Sequence, residues 1–141
     1  MKKLKVGIIG CGNIARSAHI PAFTLNPHVE IKYFCDIIRS RAESCAKEHG
    51  SGIVSEDYRE VLGDSEVDAI AVCVPNNMHA PISIDALKAG KHVLCEKPAA
   101  RTYEEALEMQ SARNGTGKTL NIGVVNRFND NVNLLKDFIQ S

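Results

Sequence analysis

The sequence predicts an α/β fold, a doubly wound parallel sheet of six strands with helices on both faces. Three observations carry that reading. Apolar strand-like runs alternate with helical patterns six times along the 141 residues, which is the order a parallel sheet with crossover helices requires. The run at 67–74, "VDAIAVCV", is nearly all apolar, as a strand covered on both faces must be. A glycine-containing loop, "GCGNIA", stands between the first strand and the first helix.

Each element follows from its local pattern. Residues 4–9, "LKVGII", read as the first strand and residues 13–25 as the first helix. Pro21 falls inside that helix, where it removes a backbone bond and costs roughly 3 kcal/mol, so a kink or two short pieces are expected around His19-Ile20-Pro21. Residues 29–36 form the second strand. Ile38, Ala42, Cys45 and Ala46 recur at i, i+4, i+7 and i+8 and mark one face of the second helix. A short strand at 52–54 and a small helix bearing Tyr58, Val61 and Leu62 lead to the central strand at 67–74. A helix over 78–89 ends at Gly90, a favourable residue just past a helix terminus. Residues 91–96 make the next strand, and Thr102 with Glu105 forms a capping box for the helix after it. Residues 119–125 are the last strand, and 131–140 begins a helix with Leu135, Phe138 and Ile139 on one face.

Composition narrows the function. Lys plus Arg and Asp plus Glu each number 17, so the formal net charge is zero and no long-range field favours nucleic acid or an anionic membrane. The start, "MKKLKVGIIGC", mimics a lipoprotein signal, but the apolar run Val6–Gly10 is shorter than the 7 to 15 residues or so of such a segment. No stretch reaches the roughly 20 apolar residues of a membrane span. Cys11, Cys35, Cys45, Cys73 and Cys95 are odd in number and contain no C-x-x-C pair, which points to buried reduced thiols, a cytoplasmic location and no metal site.

The glycine loop carries chemistry. Gly10, Gly12 and Ala15 form G-x-G-x-x-A after a strand and at the start of a helix, and Asp36 lies 21 residues beyond Ala15 at the end of the second strand. That context is the dinucleotide-binding fingerprint. Gly10 permits the tight turn. Gly12 lets backbone N–H groups of the loop, including those of Asn13 and Ile14, approach a pyrophosphate, and the helix N-terminus adds its positive dipole end. Asp36 would accept hydrogen bonds from the adenosine ribose hydroxyls, which favours NAD; Arg39 and Arg41 follow closely and could pair with the extra phosphate of NADP, or lie on the wet face of the second helix. A methyltransferase also uses a glycine loop and an acid after its second strand, but the G-x-G-x-x-A spacing argues against it.

A second cluster lies at the ends of the fourth and fifth strands. "VCVPNNMH" and "LCEKPAA" place Pro75, Asn76, Glu96 and Lys97 on the sheet edge that also carries the glycine loop, and ligands bind outside the carboxyl ends of parallel strands. Read alone, Lys97 is equally a surface lysine at a strand end.

"GCGNIA", "HIPAF", "CD", "VCVPNNMH", "ALKAGKHVLCEKPAA" and "NRF" together resemble the Gfo/Idh/MocA family of nucleotide-dependent oxidoreductases, from one end of the chain to the other. The resemblance implies that Lys97 lies between nicotinamide and substrate and contacts the reacting hydroxyl or carbonyl, where a fixed ammonium stabilises developing oxyanion charge. It implies that Pro98 sets a cis bond, and that Glu96 holds Lys97 or contacts the cofactor. His79 matches a P-N-x-x-H pattern and is either a cofactor contact or a polar residue of the helix's first turn. Arg127, after the sixth strand, falls near the same rim as a candidate for cofactor or substrate.

Family members continue into a second α/β domain that binds a sugar, polyol or related substrate and supplies a proton-transfer histidine. Residues 1–125 are therefore expected to be the NAD(P)-binding domain and 126–141 the start of a connection to such a domain, with no turnover by these residues alone. The competing class is a self-standing NAD(P)-binding module used for sensing or scaffolding. The apolar stripe at Leu135, Phe138 and Ile139 predicts a homo-oligomer.

Overall fold

A computed structural model describes residues 2–141. Six strands, β1 (Leu4–Ile9), β2 (Val29–Cys35), β3 (Ile53–Ser55), β4 (Ala69–Val72), β5 (His92–Cys95) and β6 (Leu120–Ile122), form one sheet in the order β3-β2-β1-β4-β5-β6. Every neighbouring pair is parallel. The chain runs outward from β1 to β3, then returns to lay β4 against the other side of β1. That reversal opens a crevice between the carboxyl ends of β1 and β4.

Helices α1 (Ile20–Leu25), α2 (Arg39–His49), α3 (Tyr58–Gly63), α4 (His79–Lys88) and α5 (Tyr103–Thr116) connect the strands, and α6 (Asp130–Gln140) follows β6. Alternation along β1 divides the core into two layers. Val6 and Ile8 pack with Ile31, Phe34, Ala15, Ala42 and Cys45 beneath α1 and α2. Ile9 packs with Val61, Ile70, Val72, Leu87, Val93 and Met109 beneath α3, α4 and α5. Phe34, Ile8, Ile70 and Leu87 are completely enclosed, and each such side chain contributes roughly 1.5–3 kcal/mol of apolar burial.

The first helix is continuous over 13–25 but carries a π-helical turn just before Pro21. Asn13 and Ile14 open it, Ala15–His19 form a wider π-helical turn, and this runs on into α1 at Ile20. Pro21 thus sits in the first turn of α1, where a missing N–H costs nothing. The expectation for Ile38 is corrected: its backbone is extended, it precedes α2, and it is half exposed, while Ala42 and Cys45 carry the buried face. Thr102 accepts the N–H of Glu105 at 3.2 Å, but the Glu105 carboxylate turns to the N–H of Arg101 at 2.9 Å, one residue before the expected partner.

The sixth strand is shorter than its apolar run. The Gly123 N–H still donates to Cys95 at 2.8 Å, but Val124 bonds back to Ile122 and the chain turns into a 3-10 segment, Val125–Phe128. Asn129 caps α6 by accepting the N–H groups of Asn131 and Val132, and no residue of α6 is buried.

Candidate functional site

The crevice between the ends of β1, β2 and β4 has a volume of about 550 Å³. Gly10 and Gly12 form one lip, Asp36 and Arg41 the wall at the end of β2, and Cys73, Val74 and Pro75 the opposite wall. Gly10 has φ +92°, and a methyl group there would collide with the carbonyl of Cys73. Only glycine lets the loop pass so close to the end of β4. A methyl group on Gly12 would meet nothing within 4 Å, so the space above that residue is open.

A smaller depression of about 320 Å³ adjoins the crevice over the same loop, lined by Cys11, Gly12, Asn13, Arg16 and Arg41. No side chain caps the helix that starts here. Its first-turn N–H groups have no intrahelical acceptor, and they meet the positive end of the helix dipole. The unpaired Arg41 guanidinium beside these N–H groups suits a pyrophosphate, whereas that of Arg16 is engaged by Glu48 and Ser44.

Asp36 is buried, yet its oxygens hold the site together. Oδ2 accepts the Cys11 N–H at 2.9 Å and Oδ1 accepts the Ile38 N–H at 2.8 Å. Each oxygen keeps a second lone pair for a ribose hydroxyl. Arg39 is engaged by Glu43 and Glu56, whereas the Arg41 side chain has no partner among the described residues and reaches both cavities.

Burial pushes the Cys11 thiol far above its ordinary range, with the neighbouring Cys45 adding to it. Cys11 is therefore a packing residue of the loop, not a reactive thiolate. Burial likewise raises Cys35 and Cys73 to about 12 each. All five cysteines are free and buried.

The Glu96-Lys97-Pro98 turn stands one strand further along the same edge. Glu96 donates its N–H to Val72 at 3.0 Å, which fixes the turn against the end of β4. The Lys97–Pro98 bond is cis. Lys97 is exposed, and its Nζ has no partner among the described residues. The carboxylate of Glu96 does not pair with that ammonium. Its Oε1 meets His19 Nε2 at 2.7 Å, and its Oε2 meets the Lys97 backbone N–H at 3.2 Å.

Other expected contacts fall elsewhere. His79 lies inside the domain, 1% exposed, with Nδ1 2.6 Å from the Pro98 carbonyl and Nε2 2.8 Å from the Val74 carbonyl. Its ring nitrogens are occupied by main chain and face no cavity. Asn76 opens a 3-10 turn, Asn76–Met78, and that turn brings Asn77 and Met78 rather than Asn76 to the crevice. Ile14, Lys97 and Arg127 are exposed, Glu96 is buried, and none of the four lines either cavity. Ile37, Glu56 and Tyr58 line the crevice without having been singled out. Tyr58 was visible in the sequence only as an apolar position of α3, although its hydroxyl donates to Asp85 at 2.7 Å.

A glycine loop with an open phosphate cradle, an acid after β2 and a crevice at the β1/β4 reversal define a Rossmann-type dinucleotide-binding domain. The model of the oxidoreductase family with an NAD-binding Rossmann fold matches residues 4–124. The chain belongs to that family, Gfo/Idh/MocA. Its relatives are oxidoreductases and dehydrogenases. It is 35% identical over 140 residues to the oxidoreductase YrbE of Bacillus subtilis, covering 99% of this chain and 41% of that protein. It is 36% identical over 125 residues to D-glucoside 3-dehydrogenase of Escherichia coli, covering 89% and 36%. Among solved structures, the 3-ketoreductase KijD10 from Actinomadura kijaniata in complex with NADP superposes with a TM-score of 0.90 at 28% identity, covering 99% of this chain and 44% of that one. The chain thus spans about two fifths of the length of most of the relatives it matches. Among the described residues, no helix is long and apolar enough to cross a membrane.

Proposed function

We propose that residues 1–125 are the cofactor half of a dehydrogenase that moves hydride between nicotinamide and a hydroxyl or carbonyl carbon of a sugar, polyol or related molecule. The observation that carries this reading is Lys97, an unpartnered ammonium on the same sheet edge as a crevice that fits a dinucleotide. The relatives' names, among them D-glucoside 3-dehydrogenase and inositol 2-dehydrogenase, support the substrate class. Bound nicotinamide supplies or accepts the hydride. Lys97 donates a hydrogen bond to the substrate oxygen, lowers the pKa of a hydroxyl in oxidation and stabilises the oxyanion in reduction. Pro75, Asn77 and Met78 form the wall along which the nicotinamide end extends. Residues 126–141 open the connection to a substrate-binding domain, and residues 1–141 alone bind dinucleotide without turning over sugars or polyols.

NAD is the preferred cofactor in this reading. Asp36 would place a negative charge against the extra phosphate of NADP, and Arg39 is already engaged by two glutamates. Calorimetric titration of wild type and Asp36→Ala with NADH and NADPH tests it. Tighter binding of NADPH by the wild type would assign Arg41 to the phosphate and overturn the preference. The apolar side chains of α6, with Phe138 77% and Ile139 74% exposed, support an interface between copies, in a cytoplasmic homo-oligomer. Light scattering across a concentration series tests that part, and a monomer throughout would refute it.

A further inference from the structure

Lys97 is free, but the residues on either side of it are not. Glu96, which precedes it, is 7% exposed. Its carboxylate is enclosed by His19 Nε2 at 2.7 Å and the Lys97 N–H at 3.2 Å. Gly123 closes the third side, because a methyl group there would come within 3.1 Å of Glu96 Oε1. Pro98, which follows Lys97, gives its carbonyl to His79 Nδ1 at 2.6 Å. The other nitrogen of His79 lies 2.8 Å from the Val74 carbonyl, and Val74 lines the crevice; a neutral ring donates to one of the two carbonyls.

Two histidines from different elements therefore grip the flanks of one exposed lysine. His19 comes from the π-helical turn that follows the glycine loop, and His79 from the first turn of α4. Mere stability is a poor account of this arrangement. A buried carboxylate and imidazole cost desolvation free energy that apolar side chains of similar volume would not. What such a pair adds is direction. It fixes the Lys97 main chain relative to the glycine loop through His19 and relative to the crevice wall through His79.

We propose that His19 and His79 are positioning residues for Lys97, aiming its ammonium at the nicotinamide end of the crevice. Neither touches the reacting atoms; each acts through the residue beside Lys97. The inference rests on the reading of Lys97 given above.

The test follows the side chain of Lys97 directly. Protein labelled with 13C at lysine Cε is titrated with NADH, and the Lys97 signal is assigned through Lys97→Arg. Calorimetry on the same samples reports affinity. If the wild type binds NADH and its Lys97 signal does not move, the placement of Lys97 beside the nicotinamide fails first. If it moves, the variants decide. In His19→Ala and His79→Asn we expect NADH affinity to be kept and the Lys97 response to be lost. His19→Gln, which can still donate to Glu96, should restore it. A full response in His19→Ala would overturn the role of His19. For His79 a second measurement needs no substitution. A slowly exchanging ring N–H with scalar coupling to the Pro98 carbonyl is expected in the wild type, and its absence would overturn that half even if His79→Asn does not fold.

Discussion

The two edges of the sheet treat charge in opposite ways. Around the loop that enters β4, cations are matched. Lys5 pairs with Glu66 at 3.0 Å, Lys32 with Asp64 and Glu66, and the Tyr33 hydroxyl donates to Asp64 at 3.0 Å. Lys91 is 6% exposed, and its ammonium donates to the carbonyls of Asp64 at 2.7 Å and Val67 at 2.9 Å. At the opposite edge, where the strands leave the sheet, the buried carboxylates are taken up by backbone N–H groups and His19. Lys97 and Arg41 are left without partners among the described residues. Charges of the first kind serve the fold. Arg41, unpaired beside the crevice, and Lys97, unpaired on the same edge, are available to a ligand.

That contrast can be broken from either side. The largest effect is expected at Lys97. In a chain carrying the substrate domain, Lys97→Ala should lower turnover by about 10²–10³ while melting temperature and NADH affinity stay near wild type. Steady-state kinetics with a thermal melt check it, and near-normal turnover would make Lys97 a structural residue. Lys91 should behave in the reverse manner. Lys91→Met keeps the apolar stem but strands two carbonyls, at a cost of roughly 1.5–3 kcal/mol. The urea midpoint should fall, and the folded fraction should bind NADH unchanged. Loss of binding without loss of stability would erase the distinction between the edges.

The smallest effect is expected at Asp64, whose carboxyl is held down from 3.8 to about 2, chiefly by its hydrogen bond to Lys32. A carboxyl with a depressed folded pKa contributes stability above its unfolded value, and that contribution is lost as the pH falls through the folded one. Wild-type stability should therefore drop between pH 3.8 and about 2, and Asp64→Asn should flatten that part of the profile. Parallel denaturant curves for the two proteins across that window would remove Asp64 from the account.

Much of the fold was legible because its signals are local. Strand and helix periods, the glycine loop and the acid after β2 all depend on near neighbours in the chain, and they yield the sheet and the crevice lined by Gly10, Gly12 and Asp36. What was not legible depends on partners far along the chain. His79 stands at a helix start, where a histidine suits a ligand as well as a fold. Only the approach of Val74 and Pro98, from two strand ends, commits it to the interior. Asn76 and Asn77 are adjacent and alike, and a 3-10 turn decides which faces the crevice. The apolar run after Ile122 reads as strand, yet the chain leaves the sheet after Gly123, whose α-carbon packs closely against the Glu96 carboxylate. Pro21, by contrast, announced the irregularity of the first helix, a π-helical turn, because a missing N–H acts within one turn.

The central claim is that the edge where the strands leave the sheet is a dinucleotide site built on the glycine loop. Gly12 tests it most directly, because a side chain there would meet open space in the protein and phosphate in the complex. Calorimetric titration of wild type and Gly12→Val with NADH, after circular dichroism has shown equal folding, is the decisive measurement. The account predicts one saturable site in the wild type and no binding by the folded variant. Wild-type affinity in Gly12→Val would contradict it.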